Sequence, residues 1–360
     1  MAFLQVSAPK STLDLTGHTG DTAIAYGDGD TISSGMYPAG GNHNTIYLVG
    51  QNQTFLSAYY NGNDQVAIYG DNDIAKVSNG KVTTFGQGET VNIFGTPIPN
   101  NATSSGNTSV AAMGDSSVFV TCDAGQMTFQ GGTGFSVVLA GGAQKADVNL
   151  GQGGGVAVGG EFTGNSPRGP FARAENTLVA GLKQSTLYGS NHGTNNLIAS
   201  GSAGDGLVGG ENSQNVMDGR NSTGNDFMEG HQGTYTADKP GFANISSPAP
   251  SPSNVMFAGS GNDTLVAGSG YNEIHAGSGA DLIAIFNNAA NQVAGGNNVV
   301  INSFKPGADH IDLIGYGGAT ADLLAGAGHA NGGTQFSLSD GAHVNVAGVN
   351  LTANDIYRQG

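Results

Sequence analysis

Isolated apolar residues punctuate this chain at Ile24, Ile32, Ile46, Leu56, Val66, Ile74, Val82 and Val91, then at Val118, Phe129, Val137, Val148 and Val156, then at Leu178, Leu187, Leu197, Leu207 and Val216. Most gaps run eight to eleven residues, and Gly, Asn or Asp stands within a few positions of each one. Short strands ended by tight turns carry this signature, because each strand buries one or two side chains and the turn formers reverse the chain. Helix-period stretches are scarce, the best being 319–327. The pattern predicts an all-β chain. Over residues 1–170 two architectures fit it, a β-solenoid of degenerate coils and an immunoglobulin-like sandwich, whose strands also recur every ~8–12 residues.

The pattern is strictest in 258–284, where three nine-residue units follow one another: Ala-Gly-Ser-Gly-Asn-Asp-Thr-Leu-Val, Ala-Gly-Ser-Gly-Tyr-Asn-Glu-Ile-His and Ala-Gly-Ser-Gly-Ala-Asp-Leu-Ile-Ala. Gly259, Gly268 and Gly277 share one phase, and Gly261, Gly270 and Gly279 another. Asp263, Asn272 and Asp281 fill the polar position, and Leu265, Ile274 and Ile283 the apolar one. A strand of about three residues centred on the apolar position points one side chain inward, and the preceding glycines permit a turn through positive φ. Two such half-turns make a coil of 18 residues, so Asp263 and Asp281 lie one above the other and Asn272 faces the opposite edge. A hard cation takes six to eight oxygens, and turn carbonyls plus carboxylates from adjacent coils supply them; a flexible ring of carbonyls suits Ca2+ better than Mg2+.

This segment resembles the glycine-rich nonapeptide repeat of the RTX (repeats-in-toxin) family, G-G-x-G-x-D-x-U-x, with alanine where the first glycine is usual. The resemblance implies a right-handed parallel β-roll in which the repeat's aspartate is the side-chain ligand and glycine-position carbonyls complete the site. It maps that role onto Asp263 and Asp281 with Gly259, Gly261, Gly277 and Gly279, and onto Gly268, Gly270 and Asn272 on the other edge, where asparagine weakens the site. Partial units around Asp64, Asp205 and Asp226 extend the candidate ligands upstream. The run 299–314 resembles the block that follows the repeats in many type I-secreted proteins, through Ile301, Phe304, Pro306, Gly307, Asp309, Ile311, Asp312 and Leu313, with Ser303 departing from it. That resemblance implies an uncleaved C-terminal export signal and a cap. Within the cap, Phe336 and Leu338, the turn Asp340-Gly341, then Val344 and Val346 predict a hairpin.

The expected organisation is a degenerate β-repeat domain over 1–170 (sandwich as the alternative), a calcium-binding β-roll over 171–290 with an insertion at 230–253, and a β-rich cap with the secretion region over 291–360. Both 100–109 and 230–253 read as loops, because the first is rich in Asn, Thr and Ser and the second ends in the run 247–253, whose three prolines cannot donate to a ladder.

Composition narrows the function. Charged residues make up 11% against about 25% in ordinary domains, so lysine- and glutamate-coated helices are excluded. The net charge of −16 disfavours nucleic acid as a partner. Neither an apolar leader in 1–17 nor a stretch of 18 apolar residues is present, so neither a cleaved secretory signal nor a membrane span is expected. Cys122 alternates with Val118 and Val120 and reads as a small buried hydrophobe. No His-Glu-x-x-His, Gly-x-Ser-x-Gly or phosphate-loop pattern occurs, so no catalytic residues are assigned.

The expected function is an exported, calcium-dependent structural protein that polymerises with itself outside a Gram-negative cell, as a surface layer or matrix fibre. Scarce cytoplasmic calcium would leave the acidic turns repelling one another until export. An adhesin or carbohydrate-binding module with cell-surface polysaccharide as partner is the alternative, and a β-helix enzyme acting on polysaccharide a third.

Overall fold

The structure, a computed structural model, describes residues 2–34, 43–57, 63–77, 80–94, 107–122, 125–160, 174–191, 193–211, 213–230, 253–287, 297–330 and 332–359. Outside 328–346, strands of three to seven residues alternate between two sheets, each strand lying parallel to the strand one coil away. The chain divides into two units, Met1–Ser185 and Thr186–Gly360.

In the first unit one sheet runs in parallel register from Phe3–Val6 to Glu175–Val179. The second runs from Thr12–Asp14 to Gly155–Val158. Parallel pairing throughout these ladders is the β-solenoid arrangement, whereas the sandwich alternative is built from antiparallel strands. The register stacks one buried column, Ile46, Val66, Val82, Val110, Phe129, Val148 and Leu178. Burying each such side chain contributes about 1.5–3 kcal/mol, which offsets the cost of ordering a narrow coil.

The large apolar residues do not all face inward. Ile24, Ile74, Val137, Val156 and Val216, read as core positions, are half-buried, and their neighbours Ala23, Ala75, Val138, Ala157 and Met217 take the core. Cys122 is buried, as its alternation predicts.

In the second unit one ladder runs from Thr194–Ile198 to His343–Val346 and the other from Gly206–Val208 to Ile356–Gln359, all parallel. Thr264 pairs with Leu282 and Ser253 with Tyr271, so neighbouring coils there are offset by the expected 18 residues. Leu207, Met228, Leu265, Ile283, Ile311 and Ile356 form one inner column.

The predicted hairpin is present: Gly333–Ser337 pairs antiparallel with His343–Val346. Thr320–Ala325 is a short helix with no buried residue. No helix among the described residues is long and apolar enough to cross a membrane. Of the loop expected at 100–109, residues 107–109 belong instead to the strand Asn107–Ala112, and the rest lies outside the described residues. Of the insertion expected at 230–253, Ser253 opens the strand Ser253–Phe257, while 231–252 lie outside the described residues.

Candidate metal centre

Parallel register places the residue before each strand of one sheet on a single edge. Because Gly206, Phe227, Thr264, Leu282 and His310 are register partners in turn, Asp205, Asp226, Asp263, Asp281 and Asp309 stack there, one per coil. All five are at most 2% exposed. Each backbone N–H donates to the Oδ1 of the next aspartate: Asp205 to Asp226 at 2.8 Å, Asp226 to Asp263 at 2.7 Å, Asp263 to Asp281 at 2.8 Å and Asp281 to Asp309 at 3.0 Å.

The second oxygens differ. Asp263 Oδ2 accepts the Gly259 N–H at 2.9 Å and Asp309 Oδ2 that of Lys305 at 2.7 Å, whereas Asp226 Oδ2 and Asp281 Oδ2 are buried without a hydrogen bond. Burial pushes the Asp281 carboxyl up to about 7 and that of Asp226 to about 6, and the neighbouring aspartates add to both. Burial likewise raises Asp263.

The glycines bring carbonyls to the same edge. Gly277 and Gly279 have φ of +75° and +148°. A Cβ on Gly277 would sit 2.5 Å from the Gly259 oxygen, and one on Gly279 1.9 Å from the Gly261 oxygen. Only glycine permits coils this close, and the approach stacks main-chain oxygens of successive turns. No group of three His, Cys, Asp or Glu side chains converges among the described residues. The donors that this edge offers a cation are carboxylate and turn-carbonyl oxygens. Orphaned, buried, oxygen-only donors with excess negative charge fit calcium.

The opposite edge is built differently. Nδ2 of Asn195, Asn215 and Asn254 donates in turn to Oδ1 of Asn215, Asn254 and Asn272, at 2.8, 2.9 and 2.9 Å. Asn272 also donates to the carbonyls of Gly268 at 2.8 Å and Gly270 at 3.3 Å, and accepts the Gly268 N–H at 2.9 Å. An amide both donates and accepts, so it bridges coils without charge and occupies the carbonyls of Gly268 and Gly270 itself.

Asp64 belongs to the first unit. Its Oδ1 accepts the Asn44 N–H at 2.9 Å and its Oδ2 the hydroxyls of Ser34 and Ser57, each at 3.1 Å, while burial raises its pKa. Asp309 extends the aspartate edge although sequence spacing gave it only to the cap block. It lies 28 residues beyond Asp281, so the intervening insertion hides the 18-residue period.

No curated protein matches the chain. The family model of the RTX calcium-binding nonapeptide repeat (4 copies) matches residues 257–284. Such repeats bind calcium and indicate a secreted protein. The segment that supplies Gly259, Gly261, Asp263, Gly277, Gly279 and Asp281 is thus similar to the RTX calcium-binding nonapeptide repeat.

Proposed function

We propose that this protein is a calcium-dependent structural subunit that is exported from a Gram-negative cell and assembles there with copies of itself, as a surface layer or matrix fibre. The observation that carries this reading is the aspartate edge of five buried carboxylates, two with an orphaned oxygen. Such a stack opposes folding where calcium is scarce and favours it where calcium is millimolar, which suits a chain that travels unfolded and sets outside. Support for assembly comes from the ladder edge at Phe3–Val6. Among the described residues it pairs on one side only, with Thr22–Ala25, and exposed edge strands invite further strands. The chain acts without catalysis in this reading.

One observation favours the second reading, a carbohydrate-binding adhesin. Tyr26, Val49, Tyr69, Phe85 and Met113 each follow a strand of one sheet in the first unit, and each is 41–50% exposed. The Tyr69 and Phe85 rings stack parallel within 1° at 4.7 Å, so the strip is an ordered, exposed apolar patch of the kind that marks an interaction site.

Dialysis of the purified chain from chelator into millimolar calcium, followed by light scattering and electron microscopy, tests the assembly reading. Regular polymers are expected. A monodisperse monomer overturns it, and glycan retention that Tyr69→Ser abolishes then establishes the adhesin.

A further inference from the structure

A second stack of buried acidic turns lies in the first unit, outside the nonapeptide repeats. Thr31, Thr54, Ile74 and Thr90 are register partners, and the residues just before them are Asp30, Gln53, Asp73 and Glu89. All four are fully buried. Each stands three residues after a glycine, Gly27, Gly50, Gly70 or Gly86, a turn one residue tighter than the Gly259-to-Asp263 spacing.

The hydrogen bonds leave a consistent residue of unpaired acceptors. Asp30 is satisfied, accepting the Ser11 N–H at 2.9 Å and the Gly27 N–H at 2.8 Å. On the next three coils one side-chain function is used and one oxygen is not. Gln53 donates Nε2 to the Gly27 carbonyl at 2.9 Å, Asp73 Oδ1 accepts the Gln53 N–H at 2.7 Å, and Glu89 Oε2 accepts the Asp73 N–H at 3.1 Å. Gln53 Oε1, Asp73 Oδ2 and Glu89 Oε1 are buried with no hydrogen-bond partner.

Asp73 Oδ2 and Glu89 Oε1 share their space with main-chain carbonyls. The point where a Cβ of residue 70 would sit is 1.5 Å from the Gly50 oxygen and 2.8 Å from Asp73 Oδ2. The corresponding point at residue 86 is 1.6 Å from the Gly70 oxygen and 2.4 Å from Glu89 Oε1. Glycine thus brings a carbonyl oxygen and a carboxylate oxygen together at each of these two turns, whereas at residue 50 the nearest atom to that point is Gln53 Nε2, at 2.7 Å. Charge accumulates as well, because Asp71 lies close enough to oppose ionisation of both carboxyls and Asp28 that of Asp73. No ion pair among the described residues reaches Asp73 or Glu89.

We propose that Asp73 and Glu89, on adjacent coils, with the carbonyls of Gly50 and Gly70, form a binding site for a hard divalent cation of the calcium class. Two carboxylates neutralise a double charge, and the carbonyls raise the ligand number. Magnesium, which keeps several waters, suits fully buried ligands poorly. Transition metals lack the nitrogen or sulfur ligands they favour. The site makes the first unit calcium-dependent in its own right, independently of the repeats at 257–284 and of any assembly.

Equilibrium dialysis of the full chain against calcium tests the proposal. Asp73→Asn/Glu89→Gln keeps side-chain size and removes both charges, and it is expected to bind about one calcium fewer per chain than wild type. Asp263→Asn/Asp281→Asn is expected to retain that ion. Equal stoichiometry in wild type and the Asp73/Glu89 variant overturns the site and leaves only a buried carboxyl pair sharing a proton. Should the variant fail to fold, amide hydrogen exchange on the Asp263/Asp281 variant decides: added calcium is expected to slow exchange at 50–53, 70–73 and 86–89, and unchanged exchange there overturns the site.

Discussion

Gly279→Ala tests the stacking of coils on which the aspartate edge depends. Residue 279 has φ of +148°, a region closed to alanine at a cost of about 1–3 kcal/mol. Its new Cβ would stand 1.9 Å from the Gly261 carbonyl oxygen and 2.9 Å from that carbonyl carbon. Real Cβ atoms essentially never approach closer than 3.0 Å, so backbone must shift by about an ångström. Forcing atoms into a packed stack costs a further ~1–3 kcal/mol, for a total of about 2–6 kcal/mol. Alanine's smaller unfolded-state entropy returns only about 0.4–1 kcal/mol. Against a typical stability of about 5–15 kcal/mol, the loss is large. The assay is urea unfolding in millimolar calcium, followed by far-ultraviolet circular dichroism. Gly317→Ala is the control, since a Cβ there meets nothing within 4 Å and its φ lies outside the left-handed region; it should change stability by less than about 0.5 kcal/mol. If Gly279→Ala behaves like the control, the 18-residue register between 261 and 279 is wrong.

Protons should substitute in part for calcium. Burial raises Asp226 and Asp73 to about 6, Asp281 to about 7 and Glu89 to about 8, so between the ordinary carboxylate range and these values the folded state holds more protons than the unfolded one. In chelator, their contribution to stability is therefore fully present below about pH 4 and lost as pH rises through 6 to 8; circular dichroism showing equal folding near pH 4 and pH 8 would contradict this. Asp281→Asn keeps an acceptor for the Asp263 N–H but removes the charge, and calcium titration should show weakened binding while the same variant in chelator folds at least as well as wild type. Asn254→Ala cuts the asparagine ladder, removing one of two partners from the Asn215 amide, which keeps the Gly210 carbonyl, and from the Asn272 oxygen, which keeps the Gly268 N–H, and should cost about 1–3 kcal/mol in urea unfolding at constant calcium.

What the sequence disclosed and what it concealed have separate physical causes. The repeats at 258–284 were legible because every coil there has the same length, so apolar, glycine and acidic positions keep phase. Upstream, coil length varies: Thr31 pairs with Thr54, Thr54 with Ile74 and Ile74 with Thr90, offsets of 23, 20 and 16 residues. Strand pairing tolerates this, because loops between strands absorb extra residues at little cost. A search at fixed period does not, and so it passed over Asp73 and Glu89 in the first unit and Asp309 in the second.

Side-chain size misled in the same region. Alternation fixes which residues face inward, but the space between the sheets fixes how large they are. In Thr22–Ala25 the inward positions are Ala23 and Ala25, and Ile24 faces outward. Choosing the bulkiest residue as the inward one shifts the strand's phase by one, which exchanges its two faces. The same shift would carry Ile74 inward in place of Ala75 and misplace Asp73 relative to the turn. The turn acids therefore locate the edge in this chain better than the large hydrophobics do. A fully buried Asp, Glu, Asn or Gln directly before or within a short strand marks where one coil hands hydrogen bonds to the next. Where its second oxygen finds no donor, as at Asp73, Glu89, Asp226 and Asp281, the fold has left a place for positive charge.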